Sequence, residues 1–334
     1  MTRVEIPGLE VPDATLEAEL RAGLDQVERF LEKTVQADYE MLSEAAAYLL
    51  AAGGKRFRPM LVLLAGHFGD PEDARLVPGA AAIELTHVAT LYHDDVIDEA
   101  ESRHGVPSVN ARWSNSVAIV SGDYLFARAA EIASDLGTEV TRLLARTITT
   151  VSNGQIREVS TAGQLHQNER AYMETIRRKT ASLIATSCRL GGLLSDAPPD
   201  QVETLDQFGE AVGLGFQLSD DIMDVTASER ELGKEPGVDM KEGVYTLPVL
   251  YAMTHGDRRD ELVELLRPGP PEGERLHRAL AIVRSDGSLS HARAAVTREV
   301  RRARELASRL PPGVARTALE TLARFIADRC GAEA

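Results

Sequence analysis

Six aspartates in two distant places carry the chemistry open to this chain. Asp94-Asp95-Val96-Ile97-Asp98 and Asp220-Asp221-Ile222-Met223-Asp224 are both Asp-Asp-x-x-Asp, each inside an apolar, helix-like segment. Residues four apart share a helix face, so Asp94 projects with Asp98 and Asp220 with Asp224. Like charges so placed destabilise a helix, and paired carboxylates are what a hard cation such as Mg²⁺ accepts. One such cluster reads equally well as a solvated acidic face. Two of the same form in apolar surroundings weaken that reading.

Cations gather at four further places. Gly53-Gly54-Lys55-Arg56-Phe57-Arg58-Pro59 sets three of them after a glycine turn and before an apolar helix, a place that suits a phosphate. A plain helix stop with solvated charges fits it too. Arg103 and His104 lie in a Gly/Pro loop after the first cluster. Lys179-Thr180 sits at a basic-to-small transition within a helix, and Gly233-Lys234 in a flexible loop after the second cluster. His87 precedes Asp94 by about two turns on the same stripe, where a core histidine is the usual occupant.

Helices must position these groups. Ala, Leu, Glu and Arg dominate and sustained period-2 runs are absent, which predicts an all-α protein. Helices are expected over about 14–33, 37–52, 60–68, 80–99, 108–135, 138–164, from 168, 202–227 and from 247, with a loop at 101–107. Residues 1–12 read as a loose arm. No domain linker stands out, so residues 1–334 read as one large bundle. Hydrophobic residues make up 43% of the chain and aromatics only 4%, so aliphatic side chains must fill its core. The net charge of −15 excludes a general nucleic-acid binder. Cys188 and Cys330 lack metal-ligand spacing and read as reduced thiols. With no signal-peptide pattern and no membrane-length apolar run, a cytoplasmic protein without a transmembrane segment is expected.

Packed helices could bring the two acidic faces together. Mg²⁺ would then bridge aspartates to substrate phosphates, with Lys and Arg neutralising the remaining charge. Aliphatic walls beneath would suit a hydrocarbon tail. A diphosphate clamped by cations is a good leaving group, so the chemistry implied is ionisation of a carbon–oxygen bond.

In order and spacing these motifs resemble the trans-isoprenyl diphosphate synthases, or polyprenyl synthetases, over about residues 50 to 250. The resemblance implies an all-α bundle of isoprenoid synthase type around a deep central cavity. It also implies Mg²⁺-dependent, head-to-tail condensation of isopentenyl diphosphate with an allylic diphosphate. Asp94, Asp98 and Asp220 would bind two to three Mg²⁺ ions, replaceable by Mn²⁺, with Asp95, Asp221 and Asp224 in support. Arg103, His104, Lys179, Gln217 and Lys234 would hold the allylic diphosphate. Gly54, Lys55, Arg58 and His87 would hold isopentenyl diphosphate. Thr180 and Gln217 would set oxygen dipoles near the carbocation. Homodimers are common in the family, some long-chain members need a second protein, and loose membrane association would serve product release.

Two positions depart from the family pattern: His104 stands where a second Arg is usual, and Val244 follows Gly243 where a Lys is usual. In that family bulky residues upstream of the first cluster block the growing tail, and the small Thr86, Ala89 and Thr90 here imply, by that resemblance, an all-trans product longer than C15. The alternatives are a farnesyl or geranylgeranyl diphosphate synthase, a terpene cyclase, and a non-catalytic partner subunit, which would usually lack intact aspartate clusters. Glu84-Leu85-Thr86-His87 and Glu274-Arg275-Leu276-His277 also carry the Glu-x-x-His of di-iron bundles.

Overall fold

The structure is a computed structural model describing residues 13–226 and 236–333. The expected arm at 1–12 and the Gly233-Lys234 loop lie outside the described residues. The chain divides into two compact units that interleave in sequence. Unit 1 comprises residues up to Ile148, Leu183–Gly209 and Ala307–Thr321; unit 2 comprises Thr149–Ser182, Glu210–Leu306 and the segment from Leu322. Every boundary between them falls inside a helix.

Unit 1 is built on α4 (Leu76–Ile97), against which α1 (Ala14–Thr34), α3 (Phe57–Gly66) and α6 (Asn115–Asp135) pack. Helix α1 starts at Asp13, whose Oδ1 accepts from the Thr15 and Leu16 amides at 2.9 Å. Its stripe Leu16, Leu20, Leu24, Val27 and Leu31 is buried, as the spacing predicts. Helix α4 is apolar almost all round, as a helix enclosed by others must be. Each buried Val, Leu or Ile side chain contributes roughly 1.5–3 kcal/mol, and Ile83, Leu85 and Val88 are at most 3% exposed. Gly122 on α6 allows close contact, since a Cβ there would sit 2.4 Å from His93 Nε2. Helix α2 (Glu40–Ala51) is tied to α4 by Tyr92, whose hydroxyl donates to the Ala45 carbonyl at 2.6 Å.

The expected helix over 108–135 is two, α5 (Val109–Arg112) and α6, broken at Trp113-Ser114. Ser114 has extended backbone and its Oγ caps α6 by accepting from the Val117 amide. The expected loop at 101–107 is a small hairpin. Strands β1 (Ser102–Arg103) and β2 (Val106–Pro107) pair antiparallel about a two-residue turn, His104-Gly105. Both turn residues have positive φ, 52° and 78°, the signature of a type I′ turn.

Helix α7 (Thr138–Thr161) runs from unit 1 into unit 2. There α8 (Glu169–Ile176) is capped by Asn168 and followed by a π turn, Arg177–Ala181, that leads into α9 (Ser182–Leu194). π turns carry an extra residue and concentrate at functional sites; this one holds Lys179 and Thr180. Helix α10 (Pro199–Thr226) ends in unit 2 with the second aspartate cluster. Gly213 on α10 makes a close approach to the π turn, since a Cβ there would lie 2.6 Å from the Ala181 Cα. From residue 236 onward come α11 (Val238–Lys241), α12 (Leu247–His255), α13 (Arg259–Leu266), α14 (Gly273–Ser285), α15 (Ser288–Ala307) and α16 (Val314–Cys330). Among the described residues no helix is long and apolar enough to cross a membrane.

Candidate active site

The first aspartate cluster sits where α4 stops. Asp98 is the C-cap, its amide donating to the Asp94 carbonyl at 2.8 Å, and Glu99 turns the chain with φ 51°. The three carboxylates therefore differ. Asp98 is exposed, Asp94 is half-buried, and Asp95 is fully buried. Asp95 Oδ1 accepts from Arg103 Nε at 2.8 Å and Nη2 at 2.5 Å, while its Oδ2 is enclosed with no hydrogen-bond partner. Burial pushes the Asp95 carboxyl up, against the pull of Arg103. The hairpin thus aims Arg103 at the base of the cluster.

A cluster of basic side chains gathers around His87 within unit 1. Lys55 and Gly54 are exposed. Arg56 is buried in left-handed backbone and is spent on structure. Its guanidinium pairs with Glu28, with Glu84 at 3.0 Å, and with the Leu50 carbonyl at 2.7 Å. Arg58 is half-buried, and its enclosed Nε has no protein partner. Burial lowers its pKa to about 10, with Glu84 opposing, so it remains a cation. His87 is held well below the usual histidine range, first by burial and then by Arg58, His104, Arg103 and Arg56. A neutral imidazole among cations marks a place ready for an anion. His104 bonds the Gly53 carbonyl through Nδ1 at 3.1 Å, fastening the hairpin to the glycine turn. Its φ of 52° suits His better than most residues, which gives this departure from the family pattern a backbone reason.

The second cluster, in unit 2, repeats the same division. Asp221 is 1% exposed, accepting from the Tyr172 hydroxyl and from Gln217 Nε2 at 2.9 Å. Burial pushes its carboxyl up to about 7. Gln217 Oε1 accepts from the Thr180 hydroxyl at 2.8 Å, so the π turn, Gln217, Asp221 and Tyr172 form one hydrogen-bonded chain. Asp224 is buried and accepts from the Val238 and Asp239 amides at 3.3 and 3.4 Å, capping the start of α11. Asp220 is the open member, with its side chain 39% exposed, and its Oδ1 accepts from Arg329 Nη2 at 2.6 Å. Lys179 pairs with Glu158.

Each cluster is therefore positioned within its own unit, together with most of its expected companions. Asp95 and Asp221, expected in a supporting place, both face inward onto protein donors. Sequence reasoning missed Arg56 as a structural cation, and missed Glu84, Tyr172, Glu158 and Arg329. Glu84 was legible only as part of a Glu-x-x-His pattern. The structure commits it to Arg56, and Glu274 and His277 are exposed. Among the described residues no group of three or more ligating side chains is arranged to hold a metal ion. Mg²⁺ does not need one: it takes one or two carboxylates and completes its shell with water and phosphate. The half-buried Asp94 and Asp220, the exposed Asp98, and the Asp95 oxygen without a hydrogen-bond partner fit that donor set.

Small residues upstream of the first cluster also have defined places. Ala89 and Thr86 are fully buried. Thr86 and Thr90 turn their hydroxyls back to the Ala82 and His87 carbonyls, at 2.8 and 2.6 Å.

Two stability measurements check this geometry. Tyr172→Phe removes a donor to a buried carboxylate and is expected to lower unfolding free energy by about 1.5–3 kcal/mol in denaturant titration. His87, with its folded pKa below the unfolded value of about 6.5, binds fewer protons folded than unfolded. Stability should therefore fall as pH drops below about 6.5, and the fall should be shallower in His87→Gln.

Comparison with known proteins places the chain. Residues 39–283 match the model of the Polyprenyl synthetase family. The chain is 38% identical over 328 residues to nonaprenyl diphosphate synthase of Mycobacterium tuberculosis, covering 98% of each chain. It is 43% identical over 307 residues to heptaprenyl diphosphate synthase component 2 of Geobacillus stearothermophilus, covering 92% of this chain and 95% of that one. A crystal structure of geranylgeranyl pyrophosphate synthase from Corynebacterium glutamicum, complexed with calcium and isoprenyl diphosphate, is similar with a TM-score of 0.85 at 38% identity, covering 96% of this chain and 99% of that one. Two intact aspartate clusters, their cation shell and this near full-length similarity agree: the chain belongs to the polyprenyl synthetase family.

Proposed function

We propose that this chain is a prenyltransferase that joins isopentenyl diphosphate head-to-tail to an allylic diphosphate, giving an all-trans polyprenyl diphosphate longer than C15. The observation that carries the reading is the repeated cluster. Each unit presents an open aspartate beside a buried, donor-held one, next to cations and polar donors suited to a diphosphate.

In this reading Asp94, Asp98 and Asp220 hold two to three Mg²⁺ ions, or Mn²⁺ in their place, which supply the positive charge that makes diphosphate a leaving group. Lys55, Arg58 and neutral His87 bind isopentenyl diphosphate, His87 as a hydrogen-bond donor. Arg103, Lys179, Gln217 and Lys234 serve the allylic diphosphate. The allylic C1–O bond breaks with its electron pair leaving on diphosphate. The isopentenyl double bond attacks C1, and the resulting cation loses a proton to the released diphosphate. Thr180 spends its hydroxyl hydrogen on Gln217, so its oxygen lone pairs are what an allylic cation would meet.

The small, buried Ala89 supports a product longer than C15, as do relatives named for nonaprenyl, heptaprenyl and geranylgeranyl products. Tyr92, the nearest aromatic, is fixed to α2 by its hydroxyl. We further propose a cytoplasmic homodimer that associates loosely with membranes as product leaves. The name "component 2" of one relative favours a second reading, in which a partner protein is required.

The deciding experiment incubates the purified chain with Mg²⁺, isopentenyl diphosphate and primers of several lengths, then sizes the products by chromatography. Radiolabelled chains beyond C15 support the proposal. No turnover from the chain alone would direct the search to a second component. Asp94→Ala and Asp220→Ala are each expected to lower turnover by at least about 10²–10³-fold while leaving the helical circular dichroism unchanged. Ala89→Phe is expected to shift the distribution to shorter chains, and an unchanged distribution counts against this wall.

A further inference from the structure

Arg329, in the last turn of α16, is seated against the second cluster. Its Nη2 donates to Asp220 Oδ1 at 2.6 Å and its Nη1 to Ser219 Oγ at 3.2 Å. The guanidinium carbon lies 4.7 Å from the Phe216 ring centre and 5.9 Å from that of Phe325. Its side chain is only 14% exposed. The end of α16 is itself fastened, since the Cys330 carbonyl accepts from Arg293 Nε at 2.8 Å. This is a fixed charge, and an arginine cannot shed its proton to relieve repulsion. Asp221 is held by Tyr172 and Gln217, and Asp224 accepts from backbone amides. Asp220, the open member, is held by a full positive charge.

We propose that Arg329 sets the affinity of Asp220 for divalent cations, so that a cation loads there together with a diphosphate rather than ahead of it. The proposal rests on the reading of Asp220 as a metal ligand. A divalent ion on that carboxylate shares it with a guanidinium a few ångströms away, and like charges at that range repel appreciably even when partly solvated. A diphosphate brings several negative charges and cancels the repulsion. The same guanidinium that weakens the site toward a bare ion then faces a phosphate whose charge offsets its own.

The test is Mn²⁺ binding to the full-length chain, followed by electron paramagnetic resonance, with and without inorganic pyrophosphate. Arg329→Met keeps the packing on Phe216 without the charge, and Arg329→Gln keeps donors without it. Both are expected to tighten Mn²⁺ binding without pyrophosphate by roughly fivefold or more. Arg329→Lys should stay near wild type. Adding Asp220→Asn to Arg329→Met should abolish the gain, and pyrophosphate should narrow the gap between Arg329→Met and wild type. Unchanged or weaker Mn²⁺ binding in both neutral variants, with circular dichroism intact, overturns the proposal while leaving the metal role of Asp220 standing. If Asp220→Asn alone binds Mn²⁺ with pyrophosphate as wild type does, the metal role of Asp220 fails and the proposal fails with it.

Discussion

A carboxylate buried among aliphatic helices must be given donors, and much of the site follows from how that is done. Asp95, Asp221, Asp224 and Glu84 are all buried. Each has a dedicated partner: Arg103 from a hairpin, Tyr172 with Gln217, two backbone amides at the start of α11, and Arg56. An unpaired buried charge costs several kcal/mol, so these partners are as necessary as the carboxylates. They also do geometric work. With the second aspartate of each motif locked inward, the first is left to face outward, and the backbone around it is held from below.

That arrangement explains why the motif has two adjacent aspartates. Neighbouring residues on a helix point about 100° apart. One can be anchored while the other is presented. The two halves solve the anchoring differently, with a charged guanidinium in one and a phenol and an amide in the other. Burial raises both carboxyls: Asp95 against the pull of Arg103, and Asp221 to about 7 against the hydrogen bonds from Tyr172 and Gln217.

Much of this was legible in the sequence because it is local. The aspartate spacing, the glycine turn before Lys55 and the α1 stripe all depend on residues within a few turns of each other. The tertiary pairings were not legible. Arg329 lies 109 residues from Asp220, and Tyr172 lies 49 from Asp221. No periodicity links such residues. Arg56 shows a related limit, since three cations in four residues look alike in sequence, yet burial beside Glu28 and Glu84 removes one of them from ligand binding. The π turn at Arg177–Ala181 left only the trace of a basic-to-small transition, and the break at Trp113-Ser114 only a serine that could cap.

The hairpin at Arg103 bears on how this protein can vary. Its strands are two residues each and its turn is two residues. Side chains alternate across a strand, so a shift of one residue sends every side chain to the opposite face. An insertion or deletion at His104-Gly105 that slipped the pairing would carry Arg103 away from Asp95. The helix end would then hold a buried charge with no counterion. Positive φ at His104 and Gly105 already narrows which residues the exposed turn accepts, and the pairing fixes its length as well. The segment is therefore constrained in residue count as well as in backbone conformation, the reverse of what its position on a surface loop would lead one to expect.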